Sequence, residues 1–254
     1  MELALTCAFI VLTVALFVLF LGGRRARLVT DARPRRPRRG GAVPTIVIDF
    51  GYWLLAAFVP LFRSLRVTPN ALSLFSVPVC VCASIALATG HFGIGGPLLL
   101  FAFGLDAWDG LLARELGTAS DAGEVVDATV DRYNDVIIML GFLYYYRADL
   151  LPWLLAAAAL IGTIVVSYTR AKGESFDVET NIGFMQRHER AVWLGLATSI
   201  APALATIIDE PSDHPHYYAV MVALGAVAIG TNITAVRRAR LIIASLVGRR
   251  GSAR

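Results

Sequence analysis

Long apolar runs are the feature of this sequence that most limits its fold. Of the 254 residues, 57% are hydrophobic and 17% are charged, and the mean hydropathy is +0.65. Soluble domains usually carry about 25% charged residues, so this composition favours a membrane protein. A helix of about 20 apolar residues crosses the ~30 Å hydrocarbon core of a bilayer. Six core spans are predicted, near 71–90, 95–114, 125–146, 150–171, 188–207 and 217–236.

A further apolar run fills residues 1–23 and predicts an N-terminal transmembrane anchor. The alternative, a signal peptide, would carry its basic residues before the run, whereas here arginines follow it. Residues 24–44 contain eight arginines and three prolines, which predict a solvated cytoplasmic linker attracted to anionic lipids. Nucleic-acid binding is the weaker alternative for this linker, because no aromatic residues interleave the arginines. We therefore expect membrane lipids and no nucleic acid as partners.

The segment between the linker and the six spans, residues 45–66, is apolar but interrupted by Pro60. We interpret it as an interfacial amphipathic helix, with a full span as the alternative. Residues 67–240 then form the core and residues 241–254 a basic cytoplasmic tail. The sequence thus predicts an all-α integral membrane protein with a six-helix core and one extra N-terminal transmembrane helix.

The basic residues predict how the chain is oriented. With residues 24–44 placed in the cytoplasm and the spans alternating, every arginine and the single lysine fall on the cytoplasmic side except Arg147. This distribution predicts a protein of the cell membrane whose N-terminus lies outside.

Four aspartates, Asp106, Asp109, Asp127 and Asp131, lie at the cytoplasmic ends of two successive predicted spans. A charged group in a membrane helix costs ~3 kcal/mol or more, so such groups usually serve function. Spacings of three and four residues place each pair on one helical face. The turn between the spans would bring both faces together as a site for one or two Mg²⁺ or Mn²⁺ ions. The alternative is a set of buried salt bridges to nearby arginines.

Small and basic residues accompany the first pair. Gly110 and Ala113 allow a ligand or a neighbouring helix to approach the backbone closely. Arg114 is placed at the mouth of the site, where a guanidinium can bind phosphate oxygens. Gly123 lies before the second pair of aspartates and would allow the same close approach.

These positions form one pattern, Asp106-x2-Asp109-Gly110-x2-Ala113-Arg114-x8-Gly123-x3-Asp127-x3-Asp131. The pattern resembles the signature of the CDP-alcohol phosphatidyltransferases, and the likeness extends over roughly residues 50–240. The resemblance implies a phospholipid-synthesising transferase that takes CDP-diacylglycerol as donor and releases CMP. It implies further that Asp106, Asp109 and Asp127 bind metal, and that Asp131 contacts metal and acts as general base. Gly110, Ala113 and Arg114 would lie along the CDP moiety. Family members are often dimers, so the resemblance is also compatible with a homodimer.

A second basic group, Arg170, Lys172, Arg187 and Arg190, is predicted to bind a phosphorylated polyol acceptor. Orientation in the membrane alone is the alternative explanation. The stretch 183–190 resembles the corresponding loop of bacterial phosphatidylinositol-phosphate synthases, which implies inositol 1-phosphate as acceptor. Glycerol 3-phosphate is the main rival, and free inositol and serine fit less well. The non-enzymatic alternatives are a divalent-cation transporter, which would need polar groups reaching both faces of the membrane, and a membrane scaffold.

Overall fold

The structure is a computed structural model that describes residues 2–22, 43–180, 182–183, 185–209, 212 and 214–252. Within these ranges the chain forms helices joined by short connections, and no strand occurs. The helices are α1 (Glu2–Gly22), α2 (Thr45–Ala56), α3 (Val59–Ser64), α4 (Pro69–Ala88), α5 (Phe92–Leu116), α6 (Asp121–Tyr145), α7 (Leu150–Glu174), α8 (Arg187–Ile208) and α9 (Tyr218–Ser252).

Length and composition make seven of the described helical segments able to cross a membrane. They are Glu2–Gly22, Thr45–Ser64, Pro69–Ala88, Phe92–Leu116, Leu150–Glu174, Arg187–Ile208 and Tyr218–Arg249. Helix α6 is not among them because it carries the acids of the predicted site, yet it packs inside the bundle between α4 and α7. Helices α4 to α9 therefore match the six predicted core spans. The chain is an all-α integral membrane protein.

Side-chain caps fix where the site-bearing helices begin. Thr68 Oγ1 accepts a hydrogen bond from Ala71 N (3.3 Å) at the start of α4, and Pro69 occupies the first helical position. Ser120 Oγ accepts from Gly123 N (3.2 Å) at the start of α6. Both caps lie at the end of the bundle that carries the aspartates.

The six core helices share one apolar interior, which includes Leu87, Leu99, Phe142, Ala159 and Leu224. Glycines let the helices approach one another closely. Gly96 of α5 lies against the backbone of Ser199 of α8, and Gly141 of α6 lies against Ser84 of α4. Contacts between small residues of this kind drive helix association in membranes, where apolar burial alone contributes little.

The contact between α5 and α8 gives a stability prediction. We expect Gly96→Ala to lower the melting temperature of the purified protein by about 5 °C or more, because its methyl group would overlap the backbone of Ser199. Gly104→Ala is the matched control on the same helix. Its added carbon would meet Leu55 at an ordinary 3.6 Å, so we expect no loss of stability. Equal melting temperatures for Gly96→Ala and the wild type would contradict the packing.

The segment 45–66 forms two helices instead of the predicted single one. The chain turns at Ala57–Phe58, and the second helix begins at Val59. Pro60 lacks an N–H group, so it cannot continue the hydrogen bonding of the first helix. Both helices pack on α5, where Trp108 Nε1 donates a hydrogen bond to Leu55 O (2.7 Å). Their location at the membrane interface stays a prediction.

Helix α1 docks against α5 and α8. Its first turn is held at the end of the bundle opposite the aspartates, where Glu2 Oε2 accepts from Gly93 N (3.0 Å) and Glu2 Oε1 lies 3.2 Å from His91 Nδ1. Near its other end, Phe20 packs on Phe50 and Trp53 of α2. Of the predicted linker 24–44, residues 24–42 lie outside the described residues.

Helix α9 is longer than the predicted span 217–236 and continues without a break to Ser252. Its 35 residues extend about 52 Å, well beyond the thickness of the hydrocarbon core. The extension packs on the connection between α7 and α8, where Arg249 donates to Phe176 O and Asp177 O, each at 2.8 Å. The boundary predicted between core and tail at residue 240 therefore does not coincide with a helix end.

Candidate active site

Three carboxylates converge at one end of the bundle. Asp106 and Asp109 of α5 and Asp127 of α6 each offer one oxygen, and these oxygens all lie within 4.8 Å of one another. Asp109 is buried, whereas Asp106 and Asp127 are half-buried. Across the described parts of the chain, this is the one group of three or more metal-binding side chains with such spacing.

Helix α4 brings the two acidic helices together. Helices α5 and α6 touch each other little, and each packs extensively along α4. Ser73 of α4 donates a hydrogen bond to Asp109 Oδ2, and Ser76 Oγ accepts one from Asn134 Nδ2 of α6 (2.6 Å). The sequence led us to expect that the turn between the acidic helices would suffice. The structure instead places a third helix between them.

Arg187 lies among the carboxylates. Its Nη1 donates to Asp106 Oδ2, its Nη2 lies 2.8 Å from Asp131 Oδ1, and its Nε lies 3.8 Å from Asp135 Oδ1. The guanidinium also stacks over the Phe103 ring, with its carbon 5.1 Å from the ring centre. The salt-bridge alternative raised by the sequence is thus present in part, through Arg187 and through Arg132, which lies 3.6 Å from Asp131.

The start of α8 fixes the place of Arg187. Gln186 caps the helix, and Glu189 Oε2 accepts from the Gln186 backbone N (2.8 Å), which completes a capping box. The buried side chain of Met185, at a φ of 70°, anchors the preceding turn. This arrangement holds Arg187, the first residue of the helix, towards α5 and α6.

Asp131 is buried and lies outside the group of three converging carboxylates. Its oxygens face arginines, with Arg187 at 2.8 Å and Arg132 Nη2 at 3.6 Å. Its predicted roles as a metal ligand and as the general base both stay predictions.

The donor set fits a hard divalent cation. Carboxylate oxygens are the protein ligands that Mg²⁺ and Mn²⁺ prefer. Asp106, Asp109, Asp127 and Asp131 carry four formal negative charges, and Arg187 lies close enough to two of them to offset only part of that charge. A cation bound by the three converging aspartates would neutralise much of the remainder.

The residues predicted to bind the CDP moiety lie on α5, next to the carboxylates. A Cβ atom at Gly110 would lie 3.4 Å from Arg114 Nη1, so these two residues share a face. Arg114 is exposed and Ala113 is half-buried. Gly123 lies near Asn70, with 3.7 Å between its Cβ position and the Asn70 side-chain oxygen.

The predicted acceptor-binding residues differ in burial and in their partners. Arg187 lies among the acids, and the buried Arg190 donates to Asp135 Oδ2 (3.1 Å). Arg170 is exposed and donates to Glu174 (2.9 Å), and Lys172 lies over the Phe176 ring. The shared function of all four therefore stays a prediction. Phe184, within the stretch 183–190 that carried the resemblance, lies outside the described residues.

The sequence reasoning missed Arg238, Ser73 and Asn134. Arg238 of α9 is buried and donates to Ile182 O (2.9 Å) and Val166 O (3.0 Å), which ties the chain before α8 to α7. It was missed because the span was expected to end before it. Polar residues inside apolar runs were the available signal for Ser73 and Asn134.

Together these observations define a helical membrane protein with a carboxylate centre for a divalent cation at one end of a six-helix core. The family model for CDP-alcohol phosphatidyltransferase matches residues 66–233. The chain belongs to the CDP-alcohol phosphatidyltransferase family and is a divalent-metal-dependent transferase of phospholipid biosynthesis.

Curated relatives include two inositol-lipid enzymes. The phosphatidylinositol phosphate synthase of Corynebacterium glutamicum is 32% identical over 183 residues, which are 70% of this chain and 78% of that protein. The archaetidylinositol phosphate synthase of Pyrococcus horikoshii is 33% identical over 136 residues, which are 53% of this chain and 71% of that protein.

Solved structures of the Mycobacterium tuberculosis phosphatidylinositol phosphate synthase share the fold. The form with CDP-DAG bound has a TM-score of 0.63 at 22% identity and covers 75% of this chain and 94% of its own. The form in complex with manganese and citrate also has a TM-score of 0.63 at 22% identity, covering 74% of this chain and 88% of its own.

Proposed function

We propose that the protein transfers the phosphatidyl group of CDP-diacylglycerol to inositol 1-phosphate and releases CMP. The observation that carries this proposal is the convergence of Asp106, Asp109 and Asp127 within 4.8 Å, beside Asp131 and Arg187. The names of the relatives support the acceptor, since those proteins make inositol lipids. Glycerol 3-phosphate is the alternative acceptor.

The donor would lie along α5. Asp106, Asp109 and Asp127 would hold Mg²⁺ or Mn²⁺, which supplies neutralising charge to a diphosphate when bound. Gly110 and Ala113 leave room for the CDP moiety, and the exposed Arg114 can bind its phosphate oxygens in a two-point contact. Phosphoryl-type transfer depends mainly on positioning and charge neutralisation, which this arrangement provides.

Asp131 is the proposed general base. It accepts the proton of the acceptor hydroxyl while that oxygen forms a bond to the phosphorus that carries the lipid. The bond from this phosphorus to the CMP oxygen breaks, and CMP departs. Arg187 and Arg132, at 2.8 and 3.6 Å from its two oxygens, orient the carboxylate.

The acceptor phosphate would bind the basic side of the site. Arg187 is closest to the acids and can face an anionic acceptor, and the buried Arg190, one turn later and bonded to Asp135, adds positive charge behind it. Arg170 and Lys172 extend the positive charge along the exposed end of α7. We propose that this end of the bundle faces the cytoplasm, with the N-terminus outside, and that two chains associate as a homodimer.

The proposal is tested with purified protein in lipid nanodiscs by measuring CMP release from CDP-diacylglycerol. We expect release only with Mg²⁺ or Mn²⁺ and an acceptor, fastest with inositol 1-phosphate. The acceptor panel also holds glycerol 3-phosphate, inositol and serine, and EDTA should abolish release. Faster CMP release with glycerol 3-phosphate than with inositol 1-phosphate would overturn the proposal that inositol 1-phosphate is the acceptor.

The cation-transporter alternative has its own readout. Protein in sealed liposomes should show no flux of Mn²⁺ across the bilayer. Flux without CMP release would overturn the proposed function as a whole.

A further inference from the structure

We propose that Ser73 of α4 is a positioning residue for the metal centre, which it serves by fixing the Asp109 carboxylate. This inference rests on the metal-dependent reaction proposed above. Its basis is a buried chain of hydrogen bonds that joins α6 to α4 and α4 to α5.

The first link orients a metal ligand. The hydroxyl of Ser73 is buried and donates to Asp109 Oδ2. The same hydroxyl lies 3.3 Å from Pro69 O, but its single proton is bound more strongly by a carboxylate than by a peptide carbonyl. This hydrogen bond fixes the orientation of the Asp109 carboxylate towards the converging aspartates.

The second link joins α6 to the backbone of Ser73. Ser76 Oγ donates to the backbone oxygen of Ser73 (2.6 Å), and it accepts from Asn134 Nδ2 of α6 (2.6 Å). All three residues are buried, so water cannot replace these bonds without a cavity. Asn134 lies between Asp131 and Asp135 in the sequence. These hydrogen bonds therefore connect the acidic face of α6 to Asp109.

These hydrogen bonds matter because of where α4 lies. The two acidic helices hardly touch, so the distance between their carboxylates is set by how each packs on α4. Hydrogen bonds to metal-binding carboxylates orient them, and their loss typically weakens metal affinity 10–100-fold. Among the residues of α4 that the structure describes, Ser73 is the one that hydrogen-bonds to a converging carboxylate.

The test measures Mn²⁺ binding directly, by the electron paramagnetic resonance signal of free Mn²⁺ titrated with purified protein. We expect Ser73→Ala to raise the Mn²⁺ dissociation constant about 10-fold and Ser73→Thr, which keeps the hydroxyl, to stay within about threefold of wild type. Ser73→Cys keeps the side-chain shape with a slightly larger atom and a weaker donor, so it should behave like Ser73→Ala and replaces it if the alanine variant does not fold.

Ser84→Ala is the matched control. Ser84 also lies on α4 and bonds to α6, through Ile137 O (2.6 Å), but it is remote from the acids. Its loss should leave Mn²⁺ affinity unchanged. Equal affinities for wild type and Ser73→Ala, an equal loss in Ser84→Ala, or a wild type without Mn²⁺ binding would each overturn the inference.

CMP release on the same preparations separates this inference from the proposed function. Weaker Mn²⁺ binding by Ser73→Ala, with no CMP release by wild type, supports the inference and defeats the proposed function. Normal CMP release by wild type, with unchanged Mn²⁺ binding by Ser73→Ala, supports the proposed function and overturns the inference about Ser73.

Discussion

Replacing Asp127 with asparagine is expected to lower the rate of CMP release by about 10³-fold, a loss of about 4 kcal/mol of transition-state stabilisation. Asparagine has nearly the same shape as aspartate but removes one negative charge from the three converging carboxylates. The cation would then keep the two carboxylates of α5 and lose the converging carboxylate of α6. The measurement is the initial rate at saturating CDP-diacylglycerol and acceptor, over a range of Mn²⁺ concentrations.

The control for this prediction is Asp121→Asn. Asp121 lies on the same helix, six residues earlier, and its side chain is exposed. Its loss weakens only a favourable contact with the helix N-terminus, of about 0.3–1 kcal/mol in stability, so the rate should stay within about twofold of wild type. If Asp127→Asn keeps more than one tenth of the wild-type rate, Asp127 does not help to hold a catalytic cation, and the proposed metal centre is wrong.

The aspartate pairs were predictable because their geometry is local. Spacings of three and four residues place each pair on one face of a helix whatever the rest of the fold does, and the cost of acids in a membrane predicts a shared cation. Five of the six core spans were predictable for a similar reason, since each depends only on about 20 consecutive, mostly apolar residues, whereas the span near 125–146 carries the second acidic pair. The structure confirms these spans and brings Asp106, Asp109 and Asp127 together.

Contacts between distant parts of the chain were not predictable from spacing. Ser73 and Asp109 are 36 residues apart, and Arg187 and Asp106 are 81 apart, so neither pair leaves a periodic pattern. The sequence grouped Arg170 with Arg187 because both lie near the same end of the bundle. Their surroundings in the fold differ, with Arg170 exposed beside Glu174 and Arg187 among the acids.

The length of α9 shows a different limit. The sequence predicted a span of about 20 residues that ends near residue 236, at the first arginines of the helix, but a helix need not end where its membrane-spanning part does. The arginines that follow favour a helical conformation and find partners on the connection between α7 and α8. Arg238 was thereby placed beyond the span, although it is buried and bonded to that connection.

Replacing Arg187 with glutamine is expected to lower kcat/KM for inositol 1-phosphate by about 50-fold, since a hydrogen bond to a charged group contributes about 1.5–3 kcal/mol. The KM for CDP-diacylglycerol should change by less than about threefold, because the donor is assigned to α5. The same variant should lose about as much with glycerol 3-phosphate and far less with free inositol, which has no phosphate.

The contacts of Arg187 make this selectivity the decisive readout. Its guanidinium touches Asp106 and Asp131, so a role limited to holding those acids would lower the rate with every acceptor by one common factor. Arg237→Gln is the matched control, an exposed arginine of α9 at the same end of the bundle, and should leave all rates within about twofold. An equal loss on inositol 1-phosphate and inositol would assign Arg187 to the carboxylates alone and would leave the acceptor phosphate to Arg190, Arg170 and Lys172.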